Sequence, residues 1–370
     1  MMKRSWKRLF GELAFVVGLG GIAWLVMRLG WPSIAHALAY IGPRGVLILA
    51  LAHIPTLVVL GCGWWALTRH ASSASPPRFM AARMLREAAS DLLPFSRVGG
   101  FALGVRVLAL SGTPWVVATA SSLLDVFAEQ AAKTPYTLIG VALLLRLSHR
   151  GAVIGPTLIL LGITTALVGL VVLKRAWVRA RLEALAESLA RKWQGPRASP
   201  GSHEPGEART FLFWRASSSP NRTHFGEKRA SAQGAAGAAG AAVREALAPG
   251  RGLGLSLGFH FAGWCLGGAE TWLAFTLLGA HLTLAQAIVI DALFTAARAF
   301  AFSIPGAVGV QEAAYVVLAG LFGVPAPIAV AFSLVRRARD LVLGGPALLA
   351  WQFFERSRRR AKGPAEVRAH

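Results

Sequence analysis

Two stretches of this chain fit very few environments. Residues 45–68 and 151–173 contain no Lys, Arg, Asp or Glu, and each exceeds the roughly 20 residues that a helix needs to cross the hydrocarbon of a bilayer. A helix at the surface of a soluble protein keeps a polar face, and these segments have none. The rest of the chain agrees: 55% of its 370 residues are hydrophobic, only 15% are charged, and the mean hydropathy is +0.53. That leaves too little polar surface to cover a soluble protein of this length. Further apolar runs cover residues 9–27, 92–111, 113–147, 252–278, 283–304, 305–323 and 326–351, several with isolated charges. Backbone amides in hydrocarbon must be bonded within the segment, and the runs have helical length without two-residue alternation. The expected fold is therefore all-α, a polytopic membrane helical bundle with about seven to nine embedded segments.

Charge gives the orientation. The net charge of +22 is concentrated in three places: the N-terminus (Lys3, Arg4, Lys7, Arg8), the segment from Lys174 to Arg251, and the tail with Arg356, Arg358, Arg359, Arg360 and Lys362. The positive-inside rule places all three in the cytoplasm, which makes a multi-pass protein of a bacterial inner membrane with both termini cytoplasmic. Arg69, Arg78, Arg83 and Arg86 put the stretch after residue 68 on the same side. The run from Leu9 to Met27 reads as a retained first helix, since Trp24, Met27 and Arg28 make a poor cleavage site for a signal peptide. Basic loops beside membrane spans need no nucleic-acid partner to explain them.

Four regions follow. Residues 1–173 form a first transmembrane half. Residues 174–250 begin with an amphipathic stretch carrying Leu182, Leu185, Leu189 and Trp193 at helical spacing, and continue as a basic, Pro-, Ser- and Gly/Ala-rich linker. Residues 251–355 form a second transmembrane half, and 356–370 a basic tail. The halves echo one another: LLPFSRVGGFALGVRVLALSGTP in the first and SIPGAVGVQEAAYVVLAGLFGVP in the second. Gly99 precedes Pro114, and Gly309 precedes Pro325, by nearly the same interval. Eleven residues beyond each proline stands a charge, Asp125 followed by Glu129 and Arg336 followed by Asp340, each pair on one helix face. Two structural repeats would explain the echo, as would shared Gly, Ala and Leu richness. Both segments are too punctuated for simple spans. They are expected to enter the membrane as re-entrant helices turning at Pro94, Gly99 and Gly100, and at Pro305, Gly306 and Gly309.

Charges at membrane depth are costly and mark function by default. Asp125, Glu129, Glu270, Asp291, Arg298, Glu312 and Asp340 are such residues, with Arg336, Arg337 and Arg339 crowded beside the last. Asp125, Glu129, Glu312 and Asp340 are expected to form a buried charge network. Arg97, Arg106, Arg298, Arg336 and Arg339 are candidates for binding a lipid head group, although each could equally snorkel or pair structurally. His260 and His281 could relay protons or be interfacial. GxxxG spacings at Gly100 to Gly104 and Gly263 to Gly267 allow close helix approach within or between chains.

SIPGAVGVQEAAYVVLAGLFGV followed by SLVRRARDLVLGGPALLAWQ resembles the flippase-like lysylphosphatidylglycerol synthase transmembrane region family. LLPFSRVGGFALGVRVLALSG and the later LLDVFAEQ are most similar to its hopanoid-biosynthesis-associated subgroup (HpnL). The resemblance covers residues 5–355, and it implies a lipid-translocating or lipid-handling membrane domain acting on anionic phospholipid or hopanoid-type lipid. It points to Pro305, Gly306, Gly309, Glu312, Arg336 and Asp340, and in the first half to Arg97, Gly99, Gly100, Arg106, Asp125 and Glu129. The basic Gly/Ala-rich linker departs from the family pattern.

The chain has no room for the aminoacyl-transferring domain that the family's bifunctional members carry, and it shows no HExxH, GxSxG, P-loop or paired-cysteine metal signature. No enzyme activity, metal or cofactor is expected. Two functions stay open: a translocator of polar-headed lipids working in a groove between the halves, or a non-transporting scaffold for lipid-biosynthetic enzymes. An intramembrane enzyme would have only Glu270, Asp291 or Glu312 for acid–base work.

Overall fold

A computed structural model describes residues 31–69, 72, 74–92, 97–147, 251–300 and 310–361. The expected helix at 9–27, the span at 151–173, the linker, and Pro94, Pro305, Gly306 and Gly309 lie outside the described residues. Eight helices and no strand occur within them. They are α1 (Trp31–Thr68), α2 (Pro76–Leu92), α3 (Arg97–Leu110), α4 (Trp115–Leu147), α5 (Arg251–Leu277), α6 (Leu284–Phe300), α7 (Val310–Gly320) and α8 (Ala326–Ala361).

Local sequence sets several of the boundaries. At Gly42 (φ 57°, ψ −178°), just before Pro43, α1 breaks into a short arm and a long span. Pro55, Pro135 and Pro346 sit inside α1, α4 and α8. The end of α3 is closed by a backbone donation from Thr113 N to the Leu108 carbonyl at 3.1 Å and from Gly112 N to that of Ala109 at 3.2 Å. The end of α7 repeats this, with Val324 N on Ala319 O at 3.2 Å and Gly323 N on Gly320 O at 3.2 Å. Both are Schellman closures, which place the residue after the helix in the left-handed region that glycine enters without penalty. Gly112 has φ 95° and Gly323 φ 80°. Pro114 and Pro325 stand two residues on and start α4 and α8, so the sequence echo corresponds to two turns of the same construction. Thr283 and Gln286 cap each other's backbone amides at the start of α6.

At 1.5 Å per residue α1, α4, α5 and α8 are each longer than the ~30 Å hydrocarbon core, and the part of α1 from Leu38 to Thr68 is also apolar enough throughout to cross it. In the interior, Phe275 stacks on Phe332 at 4.2 Å and Phe294 on Tyr315 at 4.1 Å, joining α5, α6, α7 and α8. Trp64 and Phe79 meet edge-on at 5.8 Å in a second core between α1 and α2. Helices α1 and α5 cross closely at small residues, where a Cβ on Gly263 would lie 2.7 Å from Leu60.

Charged groups are buried alongside the apolar cores while large apolar side chains face outward. Asp125 and His260 are 0% exposed, whereas Leu51 is 57% and Phe353 66% exposed. Leu47, Ile48, Leu51, Ile54 and Val58 turn one side of α1 outward, and Leu341, Val342, Leu349 and Phe353 do the same for α8. Such apolar faces over an interior that holds buried charges suit lipid.

Candidate functional site

Asp125, on α4, is the centre of the first ion cluster. Its Oδ2 accepts from Arg86 Nη2 at 2.5 Å and from Arg83 Nη1 at 3.2 Å, and its Oδ1 meets His260 Nε2 of α5 at 3.0 Å. Glu129, one turn along α4, takes Arg83 Nη1 and Nη2 at 2.8 and 3.0 Å. Glu87 on α2 accepts from Arg83 Nε at 2.7 Å. The i,i+4 spacing of Asp125 and Glu129 thus presents both carboxylates to a single guanidinium, a geometry arginine's planar fork satisfies.

A second cluster joins the halves. Glu270 on α5 accepts from Arg339 of α8 and pairs with His53 Nδ1 of α1 at 2.7 Å. Asp291 on α6 accepts from Tyr136 Oη at 3.0 Å, Thr271 Oγ1 at 3.1 Å and Arg336 Nη1 at 3.3 Å. Arg336 also donates to Tyr315 Oη at 2.8 Å, and its guanidinium lies 5.8–5.9 Å from the ring centres of Phe294, Tyr315 and Phe332. Asp340 accepts from Arg339 at 2.5 Å. Away from this centre, Glu312 of α7 takes Arg337 at 3.0 Å and Ser333 at 3.0 Å.

Both clusters open into one cavity of about 810 Å³ between the halves. Arg83, Arg86, Lys133, Arg298, Arg336 and Arg339 line it, and so do Glu87, Asp91, Glu129, Glu270, Asp291 and Asp340. Charge in the described lining is therefore balanced. Apolar wall comes from Leu57, Leu60, Phe101, Leu123, Val126 and Leu343. A volume of this size is within the range of small-molecule binding sites.

The expected site residues separate accordingly. Arg298, Arg336, Arg339, Glu129 and Asp340 line the cavity, with Asp125 directly behind it. Arg106 lies apart, paired with Glu355 of α8, and Arg298 is held by Asp91 of α2 at 2.9 Å. Glu312 belongs to the peripheral pair with Arg337. Arg97 and Gly99 begin α3, and the side chain of Arg97 is outside the described residues. Gly100 packs against α2, where a Cβ would lie 2.5 Å from the Arg86 carbonyl. His281 is exposed in the turn after α5.

Arg83 and Arg86, counted in the sequence for the side of the stretch after residue 68, stand on helix α2 and are 3% and 6% exposed. Counting positive charge assigned them to a side of the membrane; their carboxylate partners, 39 to 46 residues away in sequence, hold them inside. His53 and Tyr136 also reach the site without having been singled out. Their one sequence signal is that each is a polar ring within a long apolar run.

A family model described as the lysylphosphatidylglycerol synthase transmembrane region matches residues 12–346. The chain belongs to this family. Lysylphosphatidylglycerol synthase transmembrane regions form a membrane family associated with lipid handling of the flippase-like kind, in keeping with buried ion pairs inside an apolar shell. Comparison with curated proteins and with solved structures gives no match.

Proposed function

We infer that this protein translocates polar-headed lipids across a bacterial inner membrane, holding the head group in the cavity between its halves while the tail stays in lipid. The observation that carries the reading is the cavity itself: about 810 Å³, lined by ion pairs from both halves, inside a protein whose outer faces are apolar. A scaffold gains nothing from burying so many charges, each costly at membrane depth unless paired. Balanced lining charge favours a head group that can exchange partners with existing ion pairs. The activity is transport without bond chemistry, the basic ends and central segment lie in the cytoplasm, and the partners are membrane lipids. The hopanoid resemblance adds a hopanoid-type lipid to the substrates worth trying.

Proteoliposomes carrying a fluorescent phosphatidylglycerol, or a fluorescent hopanoid, test the reading through chemical quenching of the label from outside. The full chain is expected to expose inner-leaflet label faster than empty liposomes do, and Arg339→Gln to remove most of that gain. Equal rates with and without protein for both lipids would sink transport and leave the scaffold.

A further inference from the structure

Arg86 differs from Arg83 and Arg336 at the cavity. Arg83 spends its donors on Glu87, Asp125 and Glu129, and Arg336 sits among three aromatic rings with Asp291 and Tyr315. Arg86 is just as buried, at 6% exposure, yet its Nη1 meets no acceptor among the described residues. Its guanidinium is nevertheless fixed. Nη2 is held by Asp125 at 2.5 Å and the plane lies over the Trp64 ring at 4.8 Å. Trp64 is in turn pinned by its donation to Ser121 at 3.2 Å. Gly104 leaves room for the stem, since a Cβ there would come within 3.2 Å of Trp64 and 3.3 Å of the Arg86 Cβ.

On the other side of the same carboxylate stands a second orphan. His260 is 0% exposed, its Nε2 faces Asp125 Oδ1 at 3.0 Å, and its Nδ1 has no partner among the described residues. A carboxylate only accepts, so the neutral ring must carry its hydrogen on Nε2, leaving Nδ1 as a bare basic nitrogen. The groups around it are Asp125 and Glu129 of α4 and, through them, Arg83 and Arg86 of α2. Helix α1 presents Gly63 there, a Cβ on which would lie 3.2 Å from Nε2. His53 of α1, Asp291 of α6 and Arg339 of α8 meet α5 at Glu270 and Thr271, about 15 Å further along the helix.

We propose that the His260–Asp125–Arg86 unit binds a proton and an anionic phosphodiester oxygen together, the proton at His260 Nδ1 and the oxygen at Arg86 Nη1. The logic is competition for one guanidinium. With His260 neutral, Arg83 and Arg86 already face the three carboxylates of Glu87, Asp125 and Glu129; the next cation, Lys133, lies one turn on, over the Trp264 ring at 5.4 Å. An arriving anion then has to share Arg86 with Asp125. A proton on Nδ1 makes His260 an imidazolium that holds Asp125 by charge as well as by hydrogen bond, and Arg86 is released to the ligand. No bond other than N–H forms, and the proton comes from the aqueous phase. Asp125 and Trp64 are positioning residues, while Arg86 touches the ligand.

The inference rests on reading the cavity as a head-group site. It is tested on the purified full chain in micelles by calorimetry between pH 8 and 6, in two buffers of different ionisation heat. The probe is dihexanoylphosphatidylglycerol, with uncharged dihexanoylglycerol as control. The expected result is uptake of about one proton per phospholipid bound and a Kd that falls with decreasing pH, by at most about tenfold per unit, with no proton uptake for the control. His260→Gln should lose the proton uptake and the pH dependence of Kd; Arg86→Gln should weaken binding at pH 6 by about tenfold or more, with thermal melts showing that both variants fold. Wild-type binding without proton uptake, which needs no variant to observe, overturns the proposal, as does an unchanged pH profile in His260→Gln or failure of the wild type to bind the phospholipid. Proton-linked binding in a protein that moves no lipid would sink the transport reading alone; pH-independent binding in one that does would sink only this one.

Discussion

Asp125 serves two guanidiniums and an imidazole, with no exposure to solvent. Removing its charge takes from the buried Arg86 its hydrogen-bonded carboxylate and from Arg83 one of three, so Asp125→Asn is expected to cost about 3–5 kcal/mol of stability, as loss of one partner of a buried pair does. Denaturant unfolding in detergent would measure it. By contrast Arg106, with its side chain 39% exposed beside Glu355, should show the modest value of an accessible pair, and Glu355→Ala is expected to cost less than about 1 kcal/mol. At this scale the sequence was readable where spacing along one helix carried the information: Asp125 and Glu129 share a face because they are four apart. It was unreadable where the partner is distant. Nothing local to Arg83 or Arg86 says that carboxylates some forty positions later will bury them, and nothing local to His53 names Glu270.

Helix α5 shows how one element is divided between packing and lipid. A Cβ on Gly268 would lie 2.5 Å from the Tyr136 hydroxyl, which donates to Asp291, while one on Gly258 meets nothing within 4 Å. Gly268→Ala should therefore displace Tyr136 and cost about 1–3 kcal/mol, the usual penalty for overpacking. Gly258→Ala should instead gain about 0.5–1 kcal/mol from helix propensity. Thermal melts of the two variants, run side by side, check the contrast. The turns after α3 and α7 lie within the stretches whose echo was legible, each ending on the Pro (Pro114, Pro325) that follows a Schellman closure. The inward placement of α2 was not legible, because its arginines look the same whether they mark a membrane side or fill an interior.

Over the whole protein the two halves touch the cavity through cross-pairs, and Asp91–Arg298 is the one of them nearest solvent, with side chains 34% and 31% exposed. Asp91→Arg and Arg298→Asp should each lower thermal stability, and their combination should restore part of the loss, a coupling of roughly 0.2–1 kcal/mol for a pair so exposed. A double-mutant cycle reads it directly. That apolar side chains would face outward followed from composition; which helices would be neighbours did not, since the α1–α5 crossing depends on small residues fitting opposing side chains.

That crossing has a practical consequence. Residues 31–147 and 251–361 recognise each other by helix contacts, with His53 of one piece reaching Glu270 of the other and His260 of the second reaching Asp125 of the first. Two separate polypeptides cut after Ala232 are therefore expected to find each other in the membrane. Co-purification of an untagged fragment with its tagged counterpart, abolished when the tagged piece carries Asp125→Arg, would show complementation of a split chain.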